Sequence, residues 1–176
     1  MAKLKQIRKT VSTSLLVVGE GADDKAFIDH MKRFFCPRSC GRTAKVEAGD
    51  GGSAGNIIQN AIRSFKAVDY DKRYLALDSD LPPTNAEMKK AHQNGYKIIL
   101  WSPQCLEGAL LDVLGERVND HETSQDLKRR LHPRLDGKHT DMNSYQSLFP
   151  EDILATTMNQ SVGSVKKVLL GTKAVS

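Results

Sequence analysis

Two hydrophobic runs in this chain end in carboxylates, and the residue types at those ends point to metal chemistry. The run SLLVVGE closes on Glu20, and YLALDSD closes on Asp78 and Asp80. In a parallel sheet the reactive groups gather at the carboxyl ends of the strands, so acids from two strand ends can meet without an unusual loop. Asp78 and Asp80 are two apart; on an extended strand they leave the same face about 6.6 Å apart, within reach of one hard metal ion. Three converged carboxylates call for a divalent cation, Mg2+ or Mn2+, with phosphate as the natural substrate. Asp78 and Asp80 are then expected to hold the ion, which orients a phosphate and lowers the pKa of bound water, while Glu20 serves as a ligand or as the general base. Each acid also has a plainer use. Glu20 can accept backbone N–H groups at a helix start, with Asp23 and Asp24 opposing the helix dipole, and Asp80 before Leu-Pro-Pro can be a turn residue.

The elements that must position these acids can be read from period and punctuation. SLLVVG is a buried strand, followed by a helix from about Ala22 to Phe35 that Pro37 ends. A weaker strand spans Thr43 to Ala48, then comes the loop GDGGSAG and a helix bearing Ile57, Ile58, Ala61, Ile62 and Phe65. The third strand is Tyr74 to Leu77. Thr84 caps a helix running to about Asn94, and Gly95 stands where its C-cap should be. YKIILW is the fourth strand, and Ser102 and Pro103 start a helix that Gly115 stops. Helices are expected again from Gln125 to Leu131, Pro150 to Met158 and Val162 to Leu170.

Four strands alternating with four helices predict an α/β fold, a doubly wound parallel sheet with helices on both faces. With strand order 2-1-3-4, the first and third strands are neighbours at the switch point, and Glu20 faces Asp78 and Asp80 across one crevice. Residues 1–115 form this α/β domain; residues 116–176 form a helical extension packed on it.

The chain has 176 residues, 39% hydrophobic and 27% charged, enough for one globular core. Its apolar runs are of strand length and the basic start lacks a signal-peptide core, so a cytoplasmic protein is expected, with no membrane contact. Three cysteines give no disulfide framework. Cys36, Cys40 and His30 lack a fourth zinc ligand and read as reduced thiols beside a packed histidine. The net charge of +5 must be carried away from the acidic crevice, which suits an anionic polymer. Lys3, Lys5, Arg8 and Lys9 form one basic group; Lys128, Arg129, Arg130, Arg134 and Lys138 form another, and Lys166 and Lys167 a third. His121, His132 and His139 fall in the polar extension and receive no role, and Trp101 reads as core.

The loop AGDGGSAG supplies two further readings. Its backbone N–H groups at Gly51, Gly52 and Ser53, at a helix N-terminus, can hold a substrate phosphate. Alternatively Gly49, Gly51 and Ala54 fit Gly-x-Gly-x-x-Ala, with Asp78 as the ribose-binding acid of a dinucleotide enzyme. The stretches VVGEGADDKAF, LALDSD and WSPQCLEGALL together resemble the TOPRIM family of metal-dependent topoisomerase, primase, OLD-type nuclease and ribosomal RNA maturase domains. The resemblance covers about the first 115 residues and rests on Glu20-Gly21, Asp24 and Asp78-Ser79-Asp80. Ser102-Pro103-Gln104-Cys105-Leu106-Glu107 is similar to an element of the RloB-like branch. Pro83 stands where many members have Gly, and Gln104-Cys105-Leu106 copies that last element imperfectly. The resemblance implies that Asp24 and Glu107 join Glu20, Asp78 and Asp80 around one or two Mg2+ or Mn2+ ions. It implies an endonuclease on DNA or RNA, in bacterial phage defence or in ribosomal RNA maturation, working alone, as a homo-oligomer or with a partner protein. A catalytically silent TOPRIM-like nucleic-acid-binding subunit is the third alternative.

Overall fold

The structure, a computed structural model, describes residues 13–172. Strands β1 (Thr13–Gly19), β2 (Arg42–Ala48), β3 (Lys72–Asp78) and β4 (Tyr96–Trp101) form one parallel sheet in the order β2-β1-β3-β4. Among the described residues seven α-helices accompany it: α1 (Ala22–Phe35), α2 (Ala54–Ser64), α3 (Asn85–Gln93), α4 (Leu106–Val113), α5 (Ser124–Leu131), α6 (Glu151–Thr156) and α7 (Gln160–Leu170). Two short 3-10 turns, His132–Arg134 and Met142–Tyr145, lie between α5 and α6. The expected α/β architecture and strand order are therefore present. Among the described residues no helix is long and apolar enough to cross a membrane.

The pleat divides the core in two. Leu15 and Val17 of β1 point to one face, where they join Phe27 and Met31 of α1, while Leu16 and Val18 point to the other, against Ile57, Ile58 and Ala61 of α2. Central strands buried on both faces explain why β1 and β3 read as continuous apolar runs rather than alternating ones. Among the described residues, those from 116 to 172 add their buried apolar side chains to the α1 face. Leu127, Leu131, Tyr145, Phe149, Leu154 and Val165 share one core with Phe27 and Trp101, so the extension completes the face that α1 and α4 leave half covered. Polar ties reinforce the join: His30 Nε2 meets the Phe149 carbonyl at 2.7 Å, and Asn159 Nδ2 donates to the Ser102 carbonyl and to Asp112, each at 2.8 Å.

Most helix ends follow the expected signals. Thr84 Oγ1 accepts from Glu87 N while Glu87 Oε2 accepts from Thr84 N, a reciprocal cap, and Gly95 and Gly115 adopt φ of 79° and 77° just past their helices. One start differs. Ser102 and Pro103 do not open α4; the helix begins at Leu106, after Gln104 with φ of 63°. The reason is a demand from β3: the Gln104 carbonyl accepts both Ser79 N at 2.7 Å and Asp80 N at 2.9 Å, which a helical turn would not allow. Asp80 therefore does not continue an extended strand beside Asp78, as the sequence alone implies; β3 ends at Asp78 and the chain bends under Gln104.

Because the extension shares a core with α1, it is expected to unfold with the sheet. Phe149→Ala, at a fully buried position, should cost about 3–5 kcal/mol. Urea unfolding followed by circular dichroism and by Trp101 fluorescence should stay coincident; an early transition confined to residues beyond 115 would show a separate unit.

Candidate metal and phosphate site

Glu20 and Asp78 meet at the carboxyl ends of β1 and β3, where the adjacency of those strands puts them. Glu20 Oε2 accepts from Asp78 N at 3.0 Å, which fixes the Glu20 carboxylate across the strand gap. Asp78 Oδ1 accepts from Leu106 N at 3.3 Å, at the N-terminus of α4. Two small cavities share Glu20 and Asp78. One, about 390 Å3, also reaches Asp80, Glu87, Ser124 and the loop from Gly52 to Gly55; the other, about 190 Å3, also reaches Asp23, Asp24, Gly51, Glu107 and Lys128. They are two lobes of one acidic crevice. A larger groove of about 750 Å3 runs along the β4 edge, but no acid lines it and its walls are largely those of a strand edge and α7.

The five acids singled out from the sequence differ in how free they are. Asp78 is half-buried, and burial together with Asp24, Glu20, Asp80 and Glu107 pushes its carboxyl up to about 8. Asp80 is exposed at the crevice mouth; its oxygens accept from Leu81 N and from the Ser124 hydroxyl. Asp24 is buried, with one oxygen accepting from Gly21 N and the other from the Trp101 indole N–H. Burial raises its carboxyl to about 7 against those two bonds. It thus borders the crevice as a capping acid with both oxygens engaged. Glu107, 3% exposed, behaves oppositely: burial works to raise it, but the His132 hydrogen bond, its own backbone N–H and Lys128 outweigh burial and hold it below the usual carboxylate range. A buried, ionised Glu107 beside a reluctant Asp78 is a polarised pair of carboxylates.

Close packing keeps this geometry. A Cβ on Gly108 would overlap the Pro103 carbonyl, so glycine lets the 103–105 loop lie over the first turn of α4 and present the Gln104 carbonyl to Ser79 and Asp80. The glycine loop before α2 also borders the crevice. Gly51 and Gly52 adopt φ of 73° and 89°, and Ser53 caps α2 by accepting from Asn56 N at 3.3 Å. The first turn of α2 carries no acid of its own, but the Glu87 carboxylate of α3 lies against Gly55 there and faces its N–H groups.

The basic residues are placed less uniformly. Arg130 reaches Glu122 at 2.7 Å and Glu116 at 3.2 Å, and Arg134 also pairs with Glu116, so both pin the segment after α4 to α5. Arg129 is exposed and holds only Asp126, at 3.4 Å; Lys138 is exposed. Lys166 donates to the Ala155 carbonyl at 2.6 Å, and Lys167 lies beside it on α7, half-buried. Lys3, Lys5, Arg8 and Lys9 fall outside the described residues. Sequence reasoning grouped Lys128 with the basic surface, but the fold turns it into the crevice, where burial alone would lower its ammonium and Glu107, Asp23 and Asp78 outweigh that and raise it. His132 and His139, left without a role above, also reach this wall. No motif spacing marks them, because α5 and the turns after it are what bring them to α1.

Cys36 and Cys40 approach to 3.4 Å, Cys105 is buried, and His30 is committed to Phe149. Among the described residues these groups do not gather as a metal cluster. Compared with known proteins, the chain matches no family model, no curated protein and no solved structure.

Asp78 and Asp24 have folded-state pKa values raised above those of the unfolded chain, so their contribution to stability is full below about pH 4 and is lost as pH rises through about 7 to 8. Without divalent ions, stability should therefore decline between about pH 5 and 8, and Asp78→Asn should flatten that decline. Urea midpoints across the range measure it. Trp101, the sole tryptophan, should report the Asp24 step through its fluorescence.

Proposed function

We propose that this protein is a divalent-metal-dependent phosphodiesterase acting on nucleic acid, a TOPRIM-type endonuclease. One observation carries the reading: the adjacent ends of β1 and β3 set Glu20 against Asp78, with Glu20 Oε2 accepting the Asp78 N–H at 3.0 Å, in a crevice that Asp80 and Glu107 also line and where burial and the neighbouring acids oppose the ionisation of Asp78. A site that resists its own negative charge is relieved by a cation, and oxygen donors of this kind favour Mg2+ or Mn2+. Glu20, Asp78 and Asp80 offer carboxylates to the two lobes and Glu107 a fourth from α4; an ion held by three of them would draw their oxygens closer than they stand, since among the described residues no three of these acids gather within 4.8 Å.

In this reading the bound ion supplies charge for the phosphate and acidity for a water molecule. Glu20, fixed by the Asp78 N–H, keeps one oxygen free to take a proton from water at the β1 end. The N–H groups of Gly51, Gly52 and Ser53 orient phosphate oxygens from the β2 side, and Lys128 offsets charge from the α5 side. Arg129 and Lys138 are the exposed cations fitted to flanking phosphates, with Lys166 and Lys167 on α7. A dinucleotide-binding role for the Gly49 loop is less well supported. That loop follows β2, an edge strand, and β1 separates β2 from β3, so Asp78 does not stand on the strand next to the loop as that fingerprint requires. A cytoplasmic home, and a role in phage defence or RNA maturation, belong to this same proposal.

Labelled DNA and RNA should be cleaved in Mg2+ or Mn2+ and not in EDTA. Asp78→Asn and Asp80→Asn should each reduce turnover by at least about 100-fold and shrink the Mg2+-induced rise in melting temperature. Their metal-free folds should be no less stable than wild type. Glu20→Gln should cut turnover while keeping most of the Mg2+ shift if it is the base, and reduce both if it is a ligand. Wild-type cleavage rates in all three variants would overturn the assignment.

A further inference from the structure

Beside the carboxylate crevice lies a second cluster of different donor chemistry. The rings of His132 and His139 stack with centroids 4.2 Å apart and planes 6° from parallel, facing Asp23 in the first turn of α1. His139 Nδ1 lies 3.1 Å from Asp23 Oδ1; His132 Nε2 lies 4.0 Å from Asp23 Oδ2 and 2.8 Å from Glu107 Oε1. One nitrogen from each ring and one Asp23 oxygen all fall within 4.8 Å of one another.

His139 Nδ1 is the informative atom. It is buried and makes no hydrogen bond, because the nearby Asp23 oxygen is close without the alignment that a bond needs. A buried polar atom without a partner is costly, and native structures rarely keep one unless something else occupies its lone pair. A metal ion shared between Nδ1 and the carboxylate would do so.

We infer that Asp23, His132 and His139 bind a first-row transition ion of the zinc class, with Glu107 beside them as the hydrogen-bond partner of His132. Zinc bonds of about 2.0–2.1 Å to nitrogen and oxygen place tetrahedral donors roughly 3.4 Å apart, and the observed histidine–Asp23 separations of 3.1 and 4.0 Å bracket that value. Paired imidazoles select such an ion over Mg2+, which prefers oxygen alone. Both rings cannot aim lone pairs at one ion while stacked, so binding fans them apart. Their side chains are 22% and 42% exposed, which leaves room for that motion. The backbone at His139 is held by the Tyr145 hydroxyl, which donates to the His139 carbonyl at 2.6 Å. The ion would tie the turns after α5 to α1 and fix Glu107 at the crevice wall. The site stands independently of the phosphodiesterase reading, since none of Asp23, His132 and His139 is among the acids assigned to that crevice.

The test uses the full chain stripped of metal and titrated with Zn2+ alone by calorimetry, and with Co2+ alone by visible absorption. One Zn2+ per chain is expected at micromolar affinity or tighter. Co2+ should give the visible bands of a low-coordinate nitrogen–oxygen site. His139→Ala, at the more exposed ring, should weaken Zn2+ binding at least tenfold while circular dichroism stays unchanged, and Asp23→Asn should do the same. Asp80→Asn should leave it within twofold. Absence of Zn2+ binding, or binding that survives His139→Ala and is lost in Asp80→Asn, would overturn the proposal. Zn2+ binding as described, in a protein that cleaves no nucleic acid, would uphold this site and remove the phosphodiesterase reading; Mg2+-dependent cleavage without any histidine-dependent Zn2+ binding would do the reverse.

Discussion

The repulsion among carboxylates at the ends of β1 and β3 is the constraint around which the rest of this structure is arranged. Asp78 is half-buried, faces four other acids and takes up a proton near pH 8 rather than near 4. A fold without another use for that arrangement gains nothing by keeping it, since separated or solvated acids would be more stable. Strained and charge-crowded groups persist where the surrounding structure over-determines them. Here that determination is visible: the Glu20 carboxylate is fixed by Asp78 N, Asp78 by Leu106 N, and the Ser79 and Asp80 amides by a single carbonyl of Gln104.

That carbonyl is supplied by a loop with its own requirements. Gln104 takes a left-handed conformation, and Gly108 beneath it removes the side chain that would strike the Pro103 carbonyl. Just before that loop, Trp101 ends β4 in the core while its indole N–H holds Asp24, so the acid that caps α1 borders the crevice with its oxygens tied up. The distinction sorts the acids by physics: Asp24 has both oxygens engaged and burial that favours its proton, whereas Glu107, equally buried, stays ionised through His132 and Lys128.

The sheet was legible because its signals are local. Apolar runs of strand length, each closed by Gly, Pro or a cap, mark β1, β3 and β4, and the crossover rule orders them. The meeting of Glu20 with Asp78 followed from the strand ends, whereas Asp80, read as continuing the strand, lies past its end. What escaped reading depended on tertiary contacts. The start of α4 shifted to Leu106 because two amides of another strand needed the Gln104 carbonyl, and no local propensity records that demand. Lys128 looks like one member of a basic run, yet α5 carries its apolar Leu127 and Leu131 into the core and thereby turns Lys128 toward Glu107. His132 and His139 sit at no ligand spacing along the chain; they meet Asp23 only because the extension closes over α1.

The charge distribution gives the site an order of events. The chain carries a net +5, but Arg130 and Arg134 are held by Glu116 and Glu122, and exposed pairs such as Arg129 with Asp126 contribute little that water does not screen. The remaining surface cations attract a polyanion over distances near the Debye length of about 8 Å, while the crevice repels it at contact. Lys128 alone cannot reverse that repulsion, since Glu107, Asp23 and Asp78 all draw on its single charge. Under the proposed reading, a phosphate would enter between Glu20 and Asp78 only once a divalent ion had taken the place of the proton on Asp78. Metal binding would then precede productive substrate binding, and it would grow stronger as pH rises toward 8 because the ion and the proton would compete for the same carboxylate.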